Sequence, residues 1–192
     1  MGLKQTTAPT SEPLTIAEVR THLSIDGTDH DAELTILLAA ARSHVETRTL
    51  RQLMVATYTL TMSRWPAGGV IELPRPPARA VSSITYYDEN EASQTFATSK
   101  YHVDISSEPG RVVLDDGEDW PTIDVRPEAI TVVYTAGYDD AASVPGAAKV
   151  ATLQLVGHWF ENREAVAFGG QHATLPMAVN ALVNQIKVPD VN

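Results

Sequence analysis

The stretch 144–163 constrains the fold more than any other part of the sequence. Its apolar residues recur at helical spacing along two lines, which predicts a helix covered on more than one side. Pro145 stands where a helix tolerates proline, at its first position. Gly157 costs about 1 kcal/mol relative to alanine in mid-helix, which indicates that another backbone approaches closely. We interpret Trp159 as a core residue, with an interface anchor as the alternative. This helix is the expected spine of the fold.

Two further helices are predicted before residue 50. Thr15 and Glu18 match a capping box, which predicts a short helix over 15–23. A second candidate cap at 28–31 precedes a longer apolar stripe, which predicts a helix over 31–49. Its small residues at 39–41 favour close packing against the helix at 144–163.

After Leu50 the period of apolar residues changes from 3.6 to 2. The alternation over 54–62 predicts a half-buried strand. Proline, glycine and acidic turns separate further candidate strands. These strands are predicted at 70–73, 81–87, 94–96, 101–105, 111–114 and 129–134.

The order of these segments predicts an α+β fold. A helical frame, formed by N-terminal helices (14–50) and a long C-terminal helix (within 144–184), carries one contiguous antiparallel β insertion at 54–138. We expect a single domain over 14–184, preceded by a flexible arm at 1–13 and followed by a tail at 185–192. A last short helix is expected within 176–183.

The net charge of −10 argues against a groove that grips nucleic acid, because only 14 lysines and arginines are present. DNA could still pass an acidic surface without sticking to it. The sequence has no cysteine, so it forms no disulfide. No apolar run approaches the roughly 20 residues that span a membrane, and the N-terminal residues lack a signal-peptide core.

Three groups of polar residues are candidates for chemistry, and each has a simpler structural interpretation. His158 and Glu161 are one helical turn apart and could bind a metal with a third ligand. The acidic run 115–119 could attract calcium, but it lacks the alternating ligands of a calcium loop. Asp104 and Glu108 could form a catalytic carboxylate pair. No nucleophile, base and orienting group occur together, so we expect no catalysis, no cofactor and no required metal.

Several segments, taken in order, resemble the head–tail connector, or adaptor, proteins of tailed bacteriophages and of phage-like gene transfer agents. The similarity extends from about residue 14 to residue 183, and the closing stretch 157–165 is its most recognisable part. The other segments that carry it are 14–19 with 22–23, 73–77, 81–86, 101–104 with 107–112, 120–121, 131–138 and 175–176.

The resemblance implies a structural subunit of the virion neck, assembled in the host cytoplasm. Such adaptors bind beneath the portal protein as a ring, commonly of twelve copies. The ring extends the DNA channel without binding DNA specifically, contacts tail-side neck or stopper proteins, and involves no membrane.

The C-terminal segment of family members often engages the portal. Here Phe168, Ile186, Lys187 and Val188 are the candidate contacts with the portal or a neighbouring subunit. The residues at 184–187 replace a more aromatic and basic ending. We expect 169–192 to be loosely ordered before assembly, and the isolated subunit to be monomeric or weakly associated, because like charges repel and no apolar strip is evident outside the core stripes.

Two alternative functions remain open. One is a β-domain module that binds carbohydrate or protein, with the helices as a dimerisation platform. Exposed aromatic residues would favour it, and the candidates are Tyr86, Tyr87, Tyr101 and Trp120. The other is a small hydrolase that uses Asp104 or Glu108, which a pocket with a raised carboxyl pKa would favour.

Overall fold

The computed structural model describes residues 1–162 and 177–188. The chain divides into a β unit, Met1–Thr10 with Val55–Gly137, and a helical unit, Ser11–Met54 with Tyr138–Asn192. Both helices and antiparallel sheets are present, so the predicted α+β class is confirmed. None of the described helices is long and apolar enough to cross a membrane.

The helical unit contains four helices in its described part: α1 (Ile16–Leu23), α2 (Asp31–Thr49), α3 (Gly146–Glu161) and α4 (Met177–Ile186). The last short helix is confirmed as α4. A long C-terminal helix is not confirmed, because α4 has ten residues and the 16-residue α3 precedes it.

The capping box of α1 is confirmed. The Thr15 hydroxyl accepts from the Glu18 amide at 3.2 Å, and the Glu18 carboxylate accepts from the Thr15 amide at 2.7 Å. The second cap is wrong, because the N-cap residue of α2 is His30, whose side chain makes no capping bond. Asp31 and Glu33 in the first turn instead complement the helix dipole.

Helix α3 packs in the core of the helical unit through its alanine, leucine and valine residues. Pro145 is its N-cap, one residue earlier than predicted. Trp159 is half-buried against this core. The explanation for Gly157 was wrong: a Cβ there would lie 3.2 Å from the Leu23 side chain, so a side chain of α1 approaches rather than a backbone. Of the small residues at 39–41, Ala41 is the one fully buried.

The β unit contains eight strands: β1 (Gly2–Thr7), β2 (Ala56–Met62), β3 (Val70–Leu73), β4 (Ala78–Tyr87), β5 (Ser93–Thr95), β6 (Tyr101–Asp104), β7 (Gly110–Leu114) and β8 (Ile130–Ala136). They form two sheets within this one unit, ordered β1-β2-β8-β4-β5 and β3-β7-β6, and every pairing between these strands is antiparallel.

The alternation predicted for 54–62 is confirmed, since β2 and its partner β8 each bury every second residue. Those residues pack in one hydrophobic cluster with buried side chains of β3, β4, β6 and β7. Strand β1 overturns the expectation of a flexible arm over 1–13. Residues 2–7 pair with β2 through backbone hydrogen bonds, which polar side chains do not prevent.

Candidate functional site

The C-terminal residues described by the structure are attached to the end of α2. The Val188 amide donates to the Thr49 carbonyl at 2.9 Å, and Arg51 Nε donates to the Ile186 carbonyl at 2.6 Å. Val179 and Val183 of α4 are buried in the core of the helical unit. The expectation of loose order over 169–192 is therefore wrong for 177–188, and the rest of that segment lies outside the described residues.

The four predicted interface residues differ in their surroundings. Phe168 lies outside the described residues. Val188 is only 5% exposed, and Ile186 packs partly buried against the core of the helical unit. Lys187 is exposed. Ile186 and Val188 therefore fix this segment to its own subunit, and Lys187 is the one of the three described residues that projects outward.

A shallow cleft of about 460 Å³ lies beside this segment and was not predicted. Thr47, Arg48 and Leu50 from the end of α2 line it together with Asn184 and Lys187. Arg48 also donates to the Asn180 side chain of α4 at 3.1 Å, so this residue links α2 to α4 beside the cleft. Two basic side chains, Arg48 and Lys187, thus lie beside one cleft.

A buried polar network supports the end of α2. The Glu46 carboxylate accepts from Arg42 at 2.9 Å, from the Gln52 side chain at 2.8 Å and from the Leu53 amide at 3.1 Å. Arg42 Nε also donates to Glu12 at 2.7 Å. Burial raises the pKa of Glu46, although Arg42 and the Leu53 amide oppose that shift. The network was not predicted, although Arg42 and Glu46 stand at the i, i+4 spacing that favours an ion pair on a helix.

The outward face of α2 is unusually free of charge. From the start of the helix to Thr47 its exposed residues are small, polar or apolar, and Ile36 is 71% exposed. They are Ala32, Thr35, Ile36, Ala40, Ser43 and Thr47. This strip was not predicted, because helical periodicity alone does not show which positions of α2 are exposed.

The candidate metal ligands do not converge. Among residues 1–162 and 177–188, no group of three or more histidine, aspartate or glutamate side chains could hold an ion. The His158 carbonyl accepts from the Asn162 side chain at 2.8 Å, whereas Glu161 is exposed. In the acidic run, Asp115 pairs with His102 at 2.7 Å and Glu118 with Lys100 at 2.7 Å. Both carboxylates therefore contact basic side chains of the β unit.

Asp104 stabilises the turn between β6 and β7 through hydrogen bonds. Its carboxylate accepts from the Ser106 hydroxyl at 2.6 Å, from the Ser106 amide at 2.9 Å and from the Ser107 hydroxyl. These bonds favour the ionised form and lower the pKa of Asp104 to about 2. A catalytic acid needs the opposite shift, and Glu108 is exposed. The observation that would have favoured a hydrolase at Asp104 is therefore contradicted.

Three of the four aromatic residues named for a binding module pack in or against the hydrophobic cluster of the β unit. Tyr101 is 6% exposed, and Trp120 stacks on Trp65 with ring centroids 4.4 Å apart. Tyr86 and Trp120 are half-buried against the hydrophobic cluster of the β unit. Tyr87 is half-buried too, with the Arg126 guanidinium 4.1 Å from its ring. None of the four offers the exposed aromatic platform that would favour a carbohydrate site.

The described residues form an α+β subunit with an uncharged exposed face on α2. Residues 12–188 match the model of the family described as head completion protein, and the chain belongs to that family. The resemblance to the head–tail connector proteins of phages and phage-like particles is thereby confirmed. Membership of a structural protein family suggests a non-enzymatic role.

Chains of similar fold occur in solved structures of gene transfer agent (GTA) particles. One is from the neck of an empty GTA particle computed with C6 symmetry, at TM-score 0.78. Others are from the virion of a native GTA particle, at 0.79, and from the neck of a native GTA particle computed with C12 symmetry, at 0.77. Each is 24% identical and covers 100% of this chain and 98% of its own. No curated protein matches the chain.

Proposed function

We propose that this chain is a neck subunit that assembles as a ring beneath the portal of a tailed phage or phage-like particle. The ring extends the DNA channel and joins head to tail through tail-side neck proteins. The observation that carries this proposal is the family match over 12–188. The similar fold of chains in GTA necks, one of them computed with C12 symmetry, supports a ring of twelve copies.

The charge of the subunit suits a channel that DNA traverses. Binding to phosphates requires clustered cations, whereas this chain carries 24 acidic and 14 basic residues. An acidic wall repels the duplex and leaves it mobile during packaging and ejection. The subunit acts without catalysis or a metal, since its role is to hold two assemblies together.

The C-terminal segment is the proposed contact with the portal or with a neighbouring subunit. Ile186 and Val188 hold the segment on its own helical unit, and Lys187 with Arg48 presents positive charge at the adjacent cleft. A carboxylate on the portal would complement these cations. Phe168, which lies outside the described residues, stays the fourth proposed contact.

Attachment to heads tests this function. Portal-containing heads prepared without this protein should bind the purified chain and then accept tails. Lys187→Glu should weaken binding to the heads, whereas Lys149→Glu, a charge reversal elsewhere in the helical unit, should not. Heads that acquire tails normally in the absence of this protein would show that it is not the connector.

A further inference from the structure

Two strands at opposite ends of the five-stranded sheet consist entirely of exposed residues. Among the strands of the described chain, β1 and β5 are the ones in which every residue is exposed. They are also the two edges of the sheet ordered β1-β2-β8-β4-β5. Each edge therefore has a row of backbone amides and carbonyls without a partner strand on its outer side.

Burial does little to hold β1 in place. None of its residues belongs to the hydrophobic cluster of the β unit. Ordering six residues costs about 1–2 kcal/mol each in backbone entropy, and each hydrogen bond to β2 returns only about 0.5–1.5 kcal/mol. A second partner strand would add bonds without further ordering cost. The edge also lacks the usual protection, since Gly2–Thr7 contains no proline and one charged residue, Lys4.

We propose that the β1 edge of one copy pairs with the β5 edge of the next copy in the ring, an inference that rests on the proposed function. A cyclic ring uses heterologous contacts, in which two different surfaces of the same subunit meet. The two exposed edges of this sheet are such a pair. The contact continues the sheet from one subunit into its neighbour.

The direction of the strands agrees with this contact. Each of the four steps from β1 through β2, β8 and β4 to β5 is antiparallel, so β1 and β5 run in the same direction. Rotation about an axis roughly along the strands preserves that direction, and β1 of one copy then lies parallel to β5 of the next. In a parallel pair the beginnings of the two strands lie at the same end. The beginning of β1 therefore meets the turn that precedes β5.

The charges at that end are complementary. Lys4 has no ion-pair partner within the described residues, and neither have Glu89 and Glu91 in the turn before β5. Asp88 holds this turn in shape by accepting from the Ala92 amide at 3.0 Å and from two other groups. The contact places one cation beside two carboxylates that are otherwise solvated. Because β5 has only three residues, the contact is weak in isolation, which fits assembly on a template.

Because the chain has no native cysteine, a disulfide can form only between cysteines that are introduced. Lys4 and Ser93 of one copy are four strand spacings apart, about 19 Å, so Lys4→Cys/Ser93→Cys cannot close a bond within one chain. Mild oxidation of the purified double variant at high concentration should give a ladder of dimers, trimers and larger species. Lys4→Cys/Ser43→Cys, with its second cysteine on α2, is the matched control and should give only background.

Charge reversal tests the same contact independently. Lys4→Glu made in place of Lys4→Cys, with Thr7→Cys/Thr95→Cys as the trap at the next ladder position on the same face, should reduce the ladder at least about threefold. Adding Glu89→Lys and Glu91→Lys should restore it. A ladder no stronger than the control, a product that stops at the dimer, or indifference to charge reversal would overturn the edge contact. The trap uses the purified chain, so its failure is distinguishable from failure of the chain to attach to heads.

Discussion

Replacing Glu46 by alanine should destabilise the helical unit severely. The Glu46 and Arg42 side chains are only 9% and 12% exposed, so their ion pair is largely removed from water. Removing the Glu46 carboxylate deprives the Leu53 amide of its hydrogen-bond acceptor. Of the two carboxylates that Arg42 contacts among the described residues, only Glu12 remains. Gln52 keeps its bond to the Met54 carbonyl at 2.9 Å. Breaking a buried pair from one side costs about 3–5 kcal/mol, and we expect a loss in that range.

The measurement is urea unfolding followed by far-UV circular dichroism at a helix-sensitive wavelength. Glu46→Gln retains one acceptor oxygen but presents an amide to Arg42, so its expected cost is smaller, about 1–3 kcal/mol. Glu33→Ala is the matched control on the same helix. Its side chain is 39% exposed and pairs with His30 at 3.5 Å, so its expected cost is below about 1 kcal/mol. A Glu46→Ala protein as stable as the control variant would refute the role assigned to the network.

Three further outcomes are expected. The pKa of Asp104 is lowered from 3.8 to about 2, so its bonds stabilise the β6–β7 turn above about pH 4 and are lost as the pH falls towards 2. An NMR titration should show a midpoint near pH 2 for Asp104, and Ser106→Ala should raise that midpoint. Tyr134→Phe should cost about 1 kcal/mol in thermal or urea unfolding, because the buried hydroxyl donates to the Pro74 carbonyl at 2.7 Å. Deleting 185–192 should lower the melting temperature by several degrees, since Val188 is buried, whereas an unchanged melting temperature would contradict its placement.

Local signals in the sequence predicted many of the elements. The capping box of Thr15 and Glu18 acts within one helical turn, and the alternation of β2 follows from burial of one face of a strand. Both depend on neighbouring residues, so both could be predicted from the sequence without knowledge of the fold. The exposed, polar strand β1 was missed because its partner β2 begins about 50 residues later and no core side chain marks it.

The C-terminal segment 177–188 was likewise predicted only in part. The apolar pattern predicted the helix α4, but the bond from the Val188 amide to the Thr49 carbonyl joins residues distant in sequence and carries no local signature. The network around Glu46 was missed for a related reason. A charged residue in a helix normally indicates a solvated position, and only the packing of the loop at 50–54 over it shows that this one is buried.

Averaged electron images of the particle neck test the central claim most directly. Particles that carry this protein with an added tag on an exposed turn of the β unit should show a ring of this chain between portal and tail, with extra density repeated at each copy. Particles without the protein should lack that ring and carry no tails. A complete neck that contains no density for this chain, or the tag located on the capsid shell or along the tail tube, would contradict the account.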